Sequence, residues 1–220
     1  MLLTVNNLSF DWHDEPLLQD ISCQINNGDV IFLKGENGCG KTTLLKIMAG
    51  MIPHFSRGKY LHGDVLINGT SIIENPPKHF FPRIAYMPSQ NIDFFLLNAT
   101  IDEDVALTQA MLQLDAETIE TRRAELLRFF PAINMLWKKP YDQMSIYEKN
   151  LALLAIYFLQ GADLYLFDEI LKTIPREQIP NWLNFITSTA QQNCGFLIIS
   201  HDNSDLKFPI WYIKNGRLIQ

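Results

Sequence analysis

Gly35-Glu-Asn-Gly38-Cys-Gly40-Lys41-Thr42 carries the clearest chemistry in this 220-residue sequence. It fits the pattern G-x-x-x-x-G-K-[ST] and stands between an apolar strand pattern, Val30–Lys34, and a helical pattern, TLLKIMAGMI. Glycines let a backbone curl until several N–H groups face one anion. A helix starting near Lys41 points its positive end at the same spot. The geometry suits a polyphosphate, with Gly35, Asn37, Gly38, Cys39, Gly40, Lys41, Thr42 and Thr43 as the expected cradle. Lys41 is placed to reach the β- and γ-phosphates, and the Thr42 hydroxyl to ligate Mg²⁺.

A second motif is the apolar run Leu164–Phe167, which ends in Asp168-Glu169. In a parallel sheet the carboxyl ends of strands line the ligand crevice. Asp168 is expected to hold Mg²⁺, directly or through water, and Glu169 to polarise the water that attacks the γ-phosphate. A strand entering a solvated acidic turn is the plainer alternative. The phosphate loop upstream weighs against it, because phosphoryl transfer needs both a metal carboxylate and a group that orients the nucleophile. His201, in Ser200-His201-Asp202, follows another apolar strand and can hydrogen-bond the γ-phosphate or the water. Gln90 follows Ile84–Met87 and Pro88, and its amide oxygen is a candidate to complete the Mg²⁺ shell.

These residues need a scaffold, and the chain supplies its pattern. Short β-rich runs at Leu2–Leu8, Asp20–Ile25 and Val30–Lys34 open the sequence, with Asn27-Gly28 as a tight turn. Further strands are predicted at Asp64–Ile67, Ile84–Met87, Leu164–Phe167 and Phe196–Ser200, with a final hairpin of Ile210–Ile213 and Arg217–Ile219 across Asn215-Gly216. Three prolines make residues 74–82 an irregular connection. From about Ile101 to Gln160 the pattern is helical, including an amphipathic helix over Glu117–Phe130, and Arg176–Gln191 reads as another helix. Alternating strands and helices predict a mainly parallel sheet. The expected architecture is α/β: a core from residues 1–90 and 161–220, an antiparallel β region at the N-terminus, and a helical subdomain inserted over about 91–160.

Composition narrows the classes. With 47% apolar and 19% charged residues, the chain can bury a core and is not disordered. Lys plus Arg is 18 and Asp plus Glu is 24, a net charge of −6, which argues against a nucleic-acid binder. The longest apolar run is Leu151–Leu159, against the roughly 20 residues of a bilayer span. The opening MLLTVNNLSFDWHDE has neither the basic region nor the apolar core of a secretory signal. Cys23, Cys39 and Cys194 are scattered and odd in number, as expected of reduced cytosolic thiols.

Phosphate loop, Gln90, Asp168-Glu169 and His201 fall in an order and at spacings that resemble the nucleotide-binding subunit of ABC transporters, over nearly the whole chain. The resemblance implies a P-loop ATPase of ABC type that binds ATP and Mg²⁺ and powers a membrane transporter from the cytoplasmic face. By the same resemblance the opening "LSFDW" carries the aromatic residue that stacks on adenine, Trp12, with Phe10 as alternative. "AGMIPHFSRGKYLHGDVLINGTSI" and "IAYMPSQNIDFFLLNATIDEDVAL" look like the energy-coupling-factor importers of vitamins and transition-metal ions, in which two ATPase subunits dock on a shared membrane subunit. A soluble ABC-type factor or a nucleotide-binding regulatory subunit with little hydrolysis are the alternatives. The membrane-facing surface is expected near Gln90 and Phe94-Phe95-Leu96-Leu97, unless those residues form the inner face of the helical lobe.

Two departures from the family pattern matter. In the family a second subunit completes the ATP site with a Leu-Ser-Gly-Gly-Gln-like signature. Here the stretch is Met144-Ser145-Ile146-Tyr147-Glu148, which reads instead as a capping box, Ser145-x-x-Glu148. Pro175 stands where the family carries an aspartate. The half-site built from this chain's own residues is complete and the half it would lend is not. The expectation is therefore a heterodimer with a second ATPase subunit, with a homodimer as the other arrangement.

Overall fold

The computed structural model describes residues 2–12, 16–55, 60–200 and 207–220. Two sheets meet around the phosphate loop. The first is antiparallel: β1 (Leu3–Asp11), β2 (Pro16–Ile25), β4 (Tyr60–Ile67) and β5 (Thr70–Ser71), in the order β2-β1-β4-β5. The second contains β3 (Val30–Gly35), β6 (Ile84–Met87), β7 (Leu164–Asp168), β8 (Gly195–Ile199), β9 (Ile210–Lys214) and β10 (Arg217–Ile219), in the order β10-β9-β3-β8-β7-β6. All of its pairings are parallel except β10 with β9. This is the mainly parallel sheet with an N-terminal antiparallel region that the sequence pattern predicts.

The helices are α1 (Lys41–Met48), α2 (Met51–His54), α3 (Ile101–Leu112), α4 (Ala116–Phe129), α5 (Ile133–Leu136), α6 (Ile146–Gln160) and α7 (Ile179–Gln191). Helices α3 to α6 lie between β6 and β7 in the chain, as the helical pattern requires. They do not have a separate core. Ile101, Leu126, Ile133 and Leu154 share one apolar cluster with Phe32, Phe167 and Phe196 of the sheet.

Strand alternation explains how the sheet is covered on both faces. Phe32, Tyr165, Phe167, Phe196 and Ile198 point into the cluster with α6 and α7. Their neighbours Ile31, Leu33, Leu164, Leu166, Leu197 and Ile199 point the other way, against Leu44, Ile47 and the antiparallel sheet. Tyr165 and Phe196 are register partners on β7 and β8 and stack at 4.7 Å between ring centroids. Sandwiched strands of this kind read as continuous apolar runs, which is why they are legible in sequence.

Element boundaries shift where Pro or Gly intervene. The predicted helix over Arg176–Gln191 begins as a separate 3-10 turn at Arg176–Gln178, and α7 proper starts at Ile179 with Pro180 in its first turn. A proline has no N–H to give, so the first turn is where a helix tolerates it. β4 runs from Tyr60 rather than Asp64, and its pairing with β1 slips between Asn6 and Ser9, close to Gly63 at φ 87°. A β-bulge places an extra residue there, and glycine takes up the left-handed backbone.

Candidate functional site

The phosphate loop occupies the turn from β3 into α1. Two glycines make that turn. A Cβ on Gly35 (φ 152°) would sit 2.6 Å from the Ile213 carbonyl oxygen. Gly40 (φ 104°) caps α1 in the left-handed region, where a side chain would be strained. Asn37 and Gly38 are exposed at the crest, Cys39 is half-buried, and Thr43 is buried within α1. Lys41 is 6% exposed, and its Nζ donates to the carbonyl oxygens of Gly35 (2.9 Å) and Glu36 (2.8 Å). The ammonium thus already lies across the loop, where phosphate oxygens would compete for it.

Thr42 and Asp168 are 126 positions apart in sequence and touch here: Thr42 Oγ1 donates to Asp168 Oδ1 at 2.9 Å. Tyr86, on β6, donates its hydroxyl to Asp168 Oδ2 at 3.0 Å. Burial pushes the Asp168 carboxyl above the ordinary aspartate value, and the Thr42 and Tyr86 hydrogen bonds oppose that rise. Tyr86 is itself raised, by burial and by the neighbouring Asp168 charge. The sequence pattern had no signal for Tyr86, which is one aromatic residue in an apolar strand and finds Asp168 only through the β6–β7 pairing.

A divalent ion fits this corner. Thr42 and Asp168 present hard oxygen donors beside the phosphate cradle. Among the described residues no cluster of three or more His, Cys, Asp or Glu side chains could hold a metal. One carboxylate and one hydroxyl are donors of the kind Mg²⁺ takes, with substrate phosphates completing its shell. Gln90 is exposed on the loop after β6.

Glu169 follows directly, with its backbone in the left-handed region at φ 58°. Its Oε2 is 2.6 Å from Nζ of Lys172, one 3-10 turn later. Lys172 belongs to no sequence motif, and its pairing with Glu169 emerges only in the folded turn. His201 lies outside the described residues; Ser200 before it is buried at the end of β8. Trp12 is half-buried at the end of β1 and meets Phe10 edge-on at 5.0 Å. Phe10 is 1% exposed, so of the two aromatic candidates only Trp12 has a face to offer a base.

The stretch Met144–Glu148 forms the capping box that Ser145-x-x-Glu148 predicts. Ser145 Oγ accepts from the Glu148 N–H at 3.2 Å, and Glu148 Oε2 accepts from the Ser145 N–H at 2.8 Å. Lys139 Nζ adds an ion pair to Glu148 Oε1 at 2.8 Å. That ammonium, followed by the Ser145 N–H, holds the Glu148 carboxyl below the ordinary glutamate value. The N-terminus of α6 thus carries its own counter-charge, and Ile146 stands out exposed beside it.

The segment Phe94–Leu97 divides between the two expected roles. Phe94 (82% exposed) and Leu97 (74%) face outward, while Leu96 is buried and Phe95 packs against Tyr86. Asp93, in the same loop, pairs with Lys149 of α6 at 2.5 Å.

The sequence profile of the family described as "ABC transporter" matches residues 18–172. The chain is 32% identical over 191 residues to the nickel import ATP-binding protein LarO of Lactiplantibacillus plantarum, covering 87% of this chain and 73% of that protein. It is 25% identical over 223 residues to the energy-coupling factor transporter ATP-binding protein EcfA1 of Thermotoga maritima, covering 99% of this chain and 80% of that one. Other relatives are longer: the match spans 48% of one from Clostridium tetani and 38% of one from Treponema denticola. Among solved structures, the ATP-binding subunit of an ABC transporter superposes with a TM-score of 0.84 at 23% identity, over 99% of this chain and 88% of that one, which is a likeness of fold.

Proposed function

The chain belongs to the ABC transporter family, whose ATP-binding subunits hydrolyse ATP to power transport, and on that premise we propose that it drives an importer of a vitamin or metal ion as one half of an asymmetric ATPase pair. The observation that carries the reading is the Thr42–Asp168 hydrogen bond beside the Lys41 loop. It joins the phosphate-facing helix end to a metal-competent carboxylate across the sheet.

In this reading residues 1–90 and 161–220 form the catalytic core and about 91–160 the helical subdomain. Backbone N–H groups of the loop Gly35, Asn37, Gly38, Cys39 and Gly40, with Lys41, Thr42 and Thr43, hold the ATP phosphates. Trp12 stacks on adenine. Thr42, Asp168 and Gln90 would hold Mg²⁺, which would supply neutralisation of the phosphate charge. Glu169 accepts a hydrogen bond from the attacking water, and His201 contacts the γ-phosphate side.

The pairing is asymmetric because the Ser145–Glu148 box and Lys139 occupy the N-terminus of α6. A carboxylate at that position repels a γ-phosphate. A different subunit with an intact signature completes the Lys41–Glu169 site, and a membrane subunit receives the pair at the inner face of the cell membrane. Similarity to a nickel importer subunit and to an energy-coupling factor subunit supports the importer reading.

The same capping box also favours a second reading, a regulatory subunit that holds ATP with little turnover. ATPase assays separate them. The transport reading expects weak hydrolysis by the chain alone, strong hydrolysis with its partner ATPase and membrane subunit, and loss of that rate in Glu169→Gln. Robust turnover by the isolated chain that disappears in Ser145→Ala would refute the asymmetric pair. A partnered rate indifferent to Glu169→Gln favours the regulatory subunit.

A further inference from the structure

We propose that Lys172 is a positioning residue for hydrolysis, its ammonium fixing the orientation of the Glu169 carboxylate. The inference rests on the role given to Glu169 above. Three observations lead to it. The Lys172 Nζ–Glu169 Oε2 separation of 2.6 Å is a direct ion pair within the chain's own turn, so it exists before any partner docks. The turn is closed by its backbone, the Lys172 N–H donating to the Glu169 carbonyl at 3.1 Å. It is also bolted to the core: Ile170 is fully buried, and Thr173 Oγ1 donates to the Ile170 carbonyl at 2.7 Å while accepting from Nδ2 of Asn150 on α6 at 2.7 Å. A rigid turn therefore presents a flexible ammonium at one defined place.

The pair does little for the fold. The Lys172 side chain is 52% exposed against 24% for Glu169, and an ion pair open to solvent on one side contributes little to stability. Its effect falls on aim instead. Glu169 sits next to Asp168, and two adjacent carboxylates facing a triphosphate repel each other and the substrate. An ammonium on Oε2 offsets that repulsion and gives the carboxylate one orientation. A group that polarises water works only when that orientation is held.

The test uses the assembled transporter purified through a tag on this chain, with kcat, KM for magnesium ATP and Tm measured together. Lys172→Ala is expected to lower kcat about tenfold while KM stays within about twofold and Tm is unchanged. Lys172→Arg, which keeps a cation at reach, restores kcat to within about twofold of wild type. An unchanged kcat in Lys172→Ala, with Glu169→Gln inactive, overturns the inference and leaves the ATPase reading intact. A raised KM at unchanged kcat, or a lowered Tm without rescue by arginine, overturns it as well, assigning Lys172 to ATP binding or to folding. Normal turnover in Glu169→Gln, or none in the wild-type complex, overturns the underlying reading and the inference with it.

Discussion

Tyr86 donates its phenolic hydroxyl to Asp168 across the β6–β7 pair at 3.0 Å, so that this carboxylate is held from the edge strand as well as from Thr42. Removing that donor leaves a buried carboxylate with one fewer partner. Tyr86→Phe is expected to cost about 1.5–3 kcal/mol of unfolding free energy, the usual range for a hydrogen bond to a charged group. It also pushes the Asp168 carboxyl further up and weakens magnesium-dependent ATP binding. Denaturant unfolding and ATP titration at varied magnesium check both effects; an unchanged unfolding midpoint contradicts the first.

The α6 cap carries a pH signature. Glu148 is lowered in the folded chain, so its contribution is fully present above the ordinary glutamate value of 4.5 and is lost as pH falls through the lower folded value. Glu148→Gln is therefore less stable than wild type at neutral pH, and the two curves converge in acid. Ser145→Ala costs about 1 kcal/mol through the same cap. Chemical denaturation from pH 7 to pH 3 reads out the convergence, and parallel curves would count against it.

The two aromatic residues at the end of β1 are expected to behave oppositely. Phe10 is buried, and Phe10→Ala costs about 3–5 kcal/mol of stability. Trp12 is half-buried, and Trp12→Ala lowers ATP affinity about tenfold, the scale of one base-stacking contact, with a small change in Tm. Calorimetric titration with ATP, paired with thermal melts, distinguishes the two.

Phe94 and Leu97 face outward in a segment whose Ile92 and Leu96 are buried. Phe94→Asp with Leu97→Asp should leave unfolding within about 0.5 kcal/mol of wild type, because exposed side chains bear little of the fold. Recovery of the membrane subunit in a tag purification should fall sharply. Full recovery would place the membrane contact elsewhere.

What could be read from the sequence was local. The G-x-x-x-x-G-K-T loop, the Ser145-x-x-Glu148 box and the Asn215-Gly216 turn each involve residues a few positions apart, so backbone geometry and side-chain reach determine them directly. The apolar strands were equally plain, because a sheet covered on both faces needs uninterrupted apolar runs. Tertiary structure decided the rest. The order β10-β9-β3-β8-β7-β6 sets strands distant in the chain side by side, and pattern within a strand says nothing about its neighbour. Thr42 meets Asp168, Tyr86 meets Asp168 and Asn150 meets Thr173 only once those elements pack. The same is true of Phe94 and Leu96, alike in hydropathy and two residues apart, of which packing exposes one and buries the other.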